Sequence, residues 1–300
     1  MRPARLRPVQ RMAVVVLATA AGVLFGALAV AVRLGLRRRP DAEAGAFVVA
    51  LVGCLLAVLV AAPVAAIEGG ELEGLWAFAL VGAIVPGASQ ILFVRAVRDI
   101  GASRTAVLIG TAPILSAGLA IAFLGEPFSA ALAVATVAIV LGGALLAWER
   151  ERPPGFRVVG AALALAAAGL FAARDNVVRW ASVDSGTQPL LAAAVSLAAA
   201  TLVLLGYLAV ARREPPSALV RSAGLAFVPA GLSLGLAYIA LLLALDAGEV
   251  TVVAPLNATQ SLWGVLLAAA LLRRAEAVGL RLVLAAVLVV AGGALVGATR

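Results

Sequence analysis

A chain of 300 residues that is 64% hydrophobic and 13% charged, with a mean hydropathy of +1.13, is no ordinary soluble domain, because soluble chains carry about a quarter charged residues. All 23 basic residues are arginine, against 15 acids, giving a net charge of +8 and a pI near 11.3. The arginines form short clusters between apolar runs instead of one patch, which argues against a nucleic-acid partner and fits membrane-protein spacing. Without histidine the chain has no Ser-His dyad and no His-ligated zinc or haem. The lone Cys54 can form neither an intrachain disulfide nor a thiolate cluster. No cofactor, no metal and no catalytic residues are expected.

Cutting at every charged residue leaves ten uncharged runs of sixteen or more: 12–32, 44–67, 74–94, 105–125, 127–148, 158–173, 185–211, 222–245, 250–272 and 282–299. A bilayer core needs roughly 20 apolar residues per helix, so each run reads as a span. The first follows Arg2, Arg5, Arg7 and Arg11 like a secretory signal, but its apolar stretch exceeds the roughly 7–15 residues of a signal core. It is taken as a span. The third carries Pro86 followed by Ser89 and Gln90. Between the fourth and fifth, Glu126 with Pro127 predicts a one-turn hairpin. The short sixth run is expected to continue through Arg174, Asp175 and Asn176 to about Trp180. The eighth carries Pro229, Ser233 and Tyr238. Both prolines are read as points that loosen backbone hydrogen bonding at depth, or as simple kinks. In the ninth, Asn257, Gln260, Ser261 and Gly264 follow the i, i+3, i+4, i+7 spacing of one helix face. Trp76, Trp148 and Trp180 fall at run ends as interface anchors, and Trp263 is assigned to packing. The small-xxx-small match at Gly231 and Gly235 carries no weight in a chain with 30 glycines.

The two halves resemble each other. Asp99 and Gly101 align with Asp246 and Gly248, Glu126 with Glu276, and Gly142-Gly143 with Gly292-Gly293. AAGVLF at 20–25 aligns with AAGLF at 167–171. Arginines in the four connections of the first half number four, none, three and none; those of the second number two, three, none and three. Five spans per half turn the second copy upside down, so positive-inside bias should swap between equivalent connections. It does in three of four. Inverted repeats with a central site are a transporter design.

GASRTAVLIGTAPILSAGLAIAFLGEPFS at 101–129, and the weaker AGEVTVVAPLNATQSLWGVLL at 247–267 with Glu276, resemble the EamA family of the drug/metabolite transporter superfamily. The resemblance extends over essentially the whole chain. It implies an all-α integral membrane protein of ten helices, two inverted five-helix repeats (1–149 and 150–300) around a central cavity, moving small metabolites and often exporting amino acids. The chain departs from the family at its second hairpin, where LLRRAEAV replaces a Gly-Glu.

Candidate site residues follow from polarity at depth, where ionisable groups are functional candidates. Asp175 and Arg179 are four apart and are expected to pair. Arg174 then lacks a local partner and is open to two readings: a fork for a substrate carboxylate or phosphate, or a side chain snorkelling to the headgroups. Asp175 reads first as structural, and second as the acid for coupling transport to protons. Asn257, Gln260 and Ser261 read as cavity lining, with helix contact as the alternative; Ser89, Gln90, Ser233 and Tyr238 join the candidate substrate-binding set. The chain lacks a GxxxxGK loop, which argues against ATP-driven pumping. The function read from this is a secondary transporter, an exporter or exchanger of a small polar metabolite working by alternating access. It would act in the plasma membrane as a monomer or homodimer with a small-molecule substrate and lipid as partners. A membrane enzyme acting on a lipid-linked substrate, or a non-catalytic scaffold, is the alternative. Arginine counts place both termini outside the cytoplasm.

Overall fold

The computed structural model describes residues 8–68, 74–112, 114–115, 156–185, 187–248, 253, 256–272 and 279–298, with isolated positions between 134 and 145. Among these, all regular structure is helical. The helices are α1 (Pro8–Arg38), α2 (Ala42–Glu68), α3 (Leu75–Gly82), α4 (Ser89–Ile100), α5 (Ala102–Ile109), α6 (Val159–Ser185), α7 (Pro189–Ala211), α8 (Pro216–Ala223), α9 (Val228–Ala247), α10 (Gln260–Leu271) and α11 (Leu280–Ala298). A π-helical turn (Ala83–Ala88) joins α3 to α4, and a 3-10 turn (Gly224–Phe227) joins α8 to α9. Among the described residues six segments are long and apolar enough to span a bilayer: Arg11–Arg38, Ala42–Ile67, Leu75–Ile100, Val159–Val178, Pro189–Ala211 and Pro216–Ala247. Leu256–Leu271 and Leu280–Gly292 are shorter apolar helices. Most of the fourth and fifth runs, with the Glu126-Pro127 hairpin, Trp148 and Glu276, lie outside the described residues.

Local chemistry sets the ends. Asp41 caps α2, its Oδ1 accepting the Ala44 N–H at 3.1 Å. Arg37 and Arg38 close the last turn of α1, where cations oppose the negative end of the helix dipole. Gly101 turns the chain between α4 and α5 at φ 90°, which side chains with a Cβ resist. Pro189 and Pro216 open α7 and α8, where a missing N–H costs nothing. Pro229 likewise sits in the first turn of α9, so it starts a helix and does not loosen one. Pro86 is different. Val85 before it leaves helical geometry at φ −136° and ψ 110°, and the Tyr238 hydroxyl donates to the Val85 carbonyl at 2.8 Å. A backbone group freed inside the span is thereby satisfied from a neighbouring helix.

The packing inverts the pattern of soluble bundles. Inward positions are largely alanine, including Ala18, Ala21, Ala167, Ala168, Ala193 and Ala237 at 0% exposure. Large residues such as Leu59, Leu202 and Val210 point outward at 71%, 67% and 81%. Acyl chains are as apolar as leucine, so association depends on close backbone approach, which small residues permit. The α1 helix packs on α9 and α10, α2 on α7 and α9, and α4 on α6. A Cβ added to Gly231 would lie 2.5 Å from the Val52 Cβ, and one on Gly235 2.9 Å from the Gly53 carbonyl. The Gly231-xxx-Gly235 pair, uninformative in the sequence, is the contact of α9 with α2.

Candidate functional site

Arg174 lies ~22 Å along α6 from Val159 at 1.5 Å per residue, deep in the span and 5% exposed. Its Nε and Nη2 both donate to Asp175 Oδ1, at 2.9 and 2.8 Å. The expectation that Arg174 lacks a local partner is corrected. Adjacent residues diverge around a helix, but both side chains here are buried, and a buried cation without a counter-ion is far costlier than a bent side chain. The Arg179 side chain, assigned to Asp175 from spacing, lies outside the described residues. Three aromatic rings surround the guanidinium, with centroids at 5.1 Å (Phe171), 5.6 Å (Tyr238) and 5.9 Å (Phe25). All are within cation–π range. Arg174 is thus held inside the bundle by its neighbours.

A small cavity of about 30 Å³ opens beside this pair, lined by Phe25, Phe171, Arg174, Asp175, Asn257 and Gln260, with Ile109 and three alanines completing its wall. Asn257 is 6% exposed and its Oδ1 has no hydrogen-bond partner. An unpaired buried acceptor costs about 1–3 kcal/mol, which a ligand donor would recover.

The other candidates divide. Ser261 turns from the cavity and donates to the Ala106 carbonyl at 3.0 Å, tying α10 to α5. Ser233 donates to the Leu24 carbonyl at 2.7 Å, tying α9 to α1. Both make helix contacts, so the ninth-run stripe splits between cavity and packing. Ser89 returns to the Pro86 carbonyl at 3.3 Å, and Gln90 is buried away from the cavity with Nε2 unpartnered. Tyr238 stands behind Arg174, its ring on the guanidinium and its hydroxyl on Val85. Phe25 and Phe171 were missed, although they end the aligned AAGVLF and AAGLF segments.

A second polar cluster ties the arginine-bearing connections together at the ends of the spans. Arg212 Nη1 donates to both Asp41 oxygens at 2.8 and 2.7 Å, and Ser222 Oγ donates to Oδ2 at 2.8 Å. Burial raises the Asp41 pKa, but hydrogen bonds from Arg212, the Ala44 N–H and Ser222 outweigh it and hold the carboxyl below its ordinary value. The Asp41 hydrogen bond, opposed by burial, holds Arg212 above its own. Arg95 pairs with Glu43, and Arg33 Nη1 donates to the Val97 and Arg98 carbonyls at 3.3 and 3.0 Å.

Long apolar helices with exposed leucine and valine side chains, packed around a buried ion pair and a cavity, define a multi-pass membrane protein. Residues 12–148 match the model of the EamA-like transporter family, a family of the drug/metabolite transporter superfamily. The chain is also similar to a solved structure titled "Crystal structure of protein", at 19% identity and a TM-score of 0.65, over 95% of this chain and 96% of that one. That likeness extends the fold across both halves. No curated protein matches the chain.

Proposed function

We propose that the protein is a secondary transporter that exports or exchanges a small polar metabolite, such as an amino acid, by alternating access in the plasma membrane. The observation that carries this is the cavity itself: Phe25, Ile109 and Ala112 of the first half meet Phe171, Arg174, Asp175, Asn257 and Gln260 of the second around one space. Inverted-repeat transporters keep their substrate site at such an interface. Packing supports the division into 1–149 and 150–300. The α1–α9 contact has its counterpart in α6–α4, and α2–α9 in α7–α3, while α2–α7 and α5–α10 join each element to its own equivalent. Asn257 and Gln260 are the proposed substrate contacts, and Asp175, held by Arg174 but bordering the cavity, is the proposed coupling acid.

Saturable flux of an amino acid, sugar phosphate or nucleoside into liposomes carrying the purified chain is the expected result; no saturable flux of any of them removes the proposal. A resistance screen of an overexpressing host against toxic metabolites narrows the substrate. Asn257→Ala, Gln260→Ala and Arg174→Gln are expected to lose at least tenfold in flux, the first two while keeping the parent's stability and Arg174→Gln at a cost in stability, because it strands the buried Asp175. Full activity in all three would remove this site assignment.

A further inference from the structure

The arginines at the arginine-bearing end divide by whether an acid holds them. Arg212 holds Asp41 and lies 3.8 Å from Glu214, Arg95 holds Glu43, and Arg98 holds Asp99. Arg37, Arg38, Arg39, Arg213 and Arg221 are exposed, and among the described residues no carboxylate pairs with any of them. Folding brings these five to one surface, although the sequence separates 37–39 from 213–221. Asp41, two positions after Arg39, is bound by Arg212 and by Ser222, the chain neighbours of Arg213 and Arg221. A Cβ built on Gly224 would lie 4.0 Å from Arg39 Nε. Apolar side chains border the same surface. Leu34 is exposed on α1 one turn before Arg37 and Arg38, at the spacing of one helix face. In α8, Leu219 and Ala223 are buried, whereas Val220 beside Arg221 is 41% exposed and Leu225, just past the Gly224 turn, is 85% exposed.

We infer that this surface, built from the end of α1 and from α8 with its following turn, binds anionic phospholipid. The headgroup phosphate lies among Arg37, Arg38, Arg39, Arg213 and Arg221, and the acyl chains run past Leu34, Val220 and Leu225. Guanidinium forks match phosphate oxygens, and several such charges together attract an anionic leaflet. The acids nearby are already taken by other arginines, so they do little to cancel that attraction. A zwitterionic lipid brings its own cation to the same surface and gains less. Free phosphate would satisfy the guanidinium groups but leave the aliphatic tips in water. Basic groups beside bare aliphatic side chains fit the boundary between headgroups and acyl chains, which makes lipid the occupant. This binding does not depend on what the cavity carries.

The full chain in dodecyl maltoside micelles is titrated with dioleoyl phosphatidylglycerol, dioleoyl phosphatidylcholine or glycerol phosphate while tryptophan fluorescence follows thermal unfolding. Phosphatidylglycerol is expected to raise the midpoint with concentration, and the other two to leave it unchanged over the same range. Raising NaCl from about 0.1 to about 1 M shortens the screening length from about 10 to about 3 Å, and is expected to remove most of the shift. Arg37→Gln, Arg38→Gln, Arg39→Gln, Arg213→Gln and Arg221→Gln combined are expected to weaken the apparent affinity for phosphatidylglycerol at least about tenfold. Arg11→Gln, near the opposite end of α1, is expected to retain it. No response to phosphatidylglycerol, or an equal response to phosphatidylcholine or to glycerol phosphate, would overturn the inference. So would a phosphatidylglycerol response indifferent to salt, or one undiminished in the combined variant. The salt series uses the unaltered chain, so the inference stays open to refutation even if the combined variant does not fold.

Discussion

Arg174 and Asp175 are worth more to each other than to the fold. Removing one member of a buried ion pair strands the other charge and costs about 3–5 kcal/mol, whereas replacing both with apolar residues of similar volume is often neutral. Asp175→Ala is therefore expected to destabilise the chain by about 3–5 kcal/mol, and the double variant Arg174→Met with Asp175→Leu to recover most of that loss. Denaturant titration in mixed micelles measures both; equal losses in the single and double variants would contradict the pairing. Asp41 adds a pH term at the arginine-bearing end. Its carboxyl is held below the unfolded value of about 3.9, so its contribution is present above that pH and fades as pH falls through the folded pKa. Asp41→Asn should lower the midpoint at pH 7 and flatten its decline as pH falls below about 4. At this scale the sequence exposed Arg174, Asp175, Asn257 and Gln260 because polar residues interrupt apolar runs. It missed Arg174 as a partner of Asp175 because spacing reports where a Cβ starts, not where a long guanidinium ends. Ser233 and Ser261 misled because a serine lining a cavity and one clipping a neighbouring backbone leave the same trace.

Helices were legible wherever length alone decides. The sixth run, extended past its charges, is α6, and the first run packs in the core as α1. The break inside the third run was half legible: Pro86 marked the place, but the compensating donor comes from Tyr238, 153 positions away. Long-range repair of this kind has no local signal. Tyr238→Phe removes that donor while keeping the ring on Arg174, and is expected to cost about 1–2 kcal/mol through the Val85 carbonyl. Thermal unfolding of the variant reads this directly, and an unchanged midpoint would mean that Val85 finds another donor. Close approaches were hidden for a similar reason. Gly26 lies where an added Cβ would sit 2.7 Å from the Gly264 nitrogen, yet Gly26 does not stand out among 30 glycines.

The inverted repeat rests on the molecule as a whole, and so does its orientation. Connections 33–43, 95–104 and 212–221 meet at one end of the bundle through Arg33 with the 97–98 backbone, Arg95 with Glu43, and Arg212 with Asp41. The Arg157 N–H also donates to the Asp99 carbonyl there, at 2.8 Å. With the 149–157 and 273–281 connections, that end carries sixteen arginines by sequence, against seven for the segments assigned to the other side. Arginine excess in short connections marks the cytoplasmic face, so the arginine-bearing end is predicted to face the cytoplasm, with both termini outside. The four arginines of segment 1–11 oppose this, since the first helix often directs insertion. They form a short tail without a folded domain, whereas five alternate connections agree, and the agreement of several short connections is the stronger constraint. Ala218→Cys and Gly70→Cys, each in a Cys54→Ser background, separate the two orientations with a membrane-impermeant maleimide on intact cells. Labelling at position 70 and protection at 218 are expected. Labelling at 218 with protection at 70 would place the arginines outside and reverse the molecule.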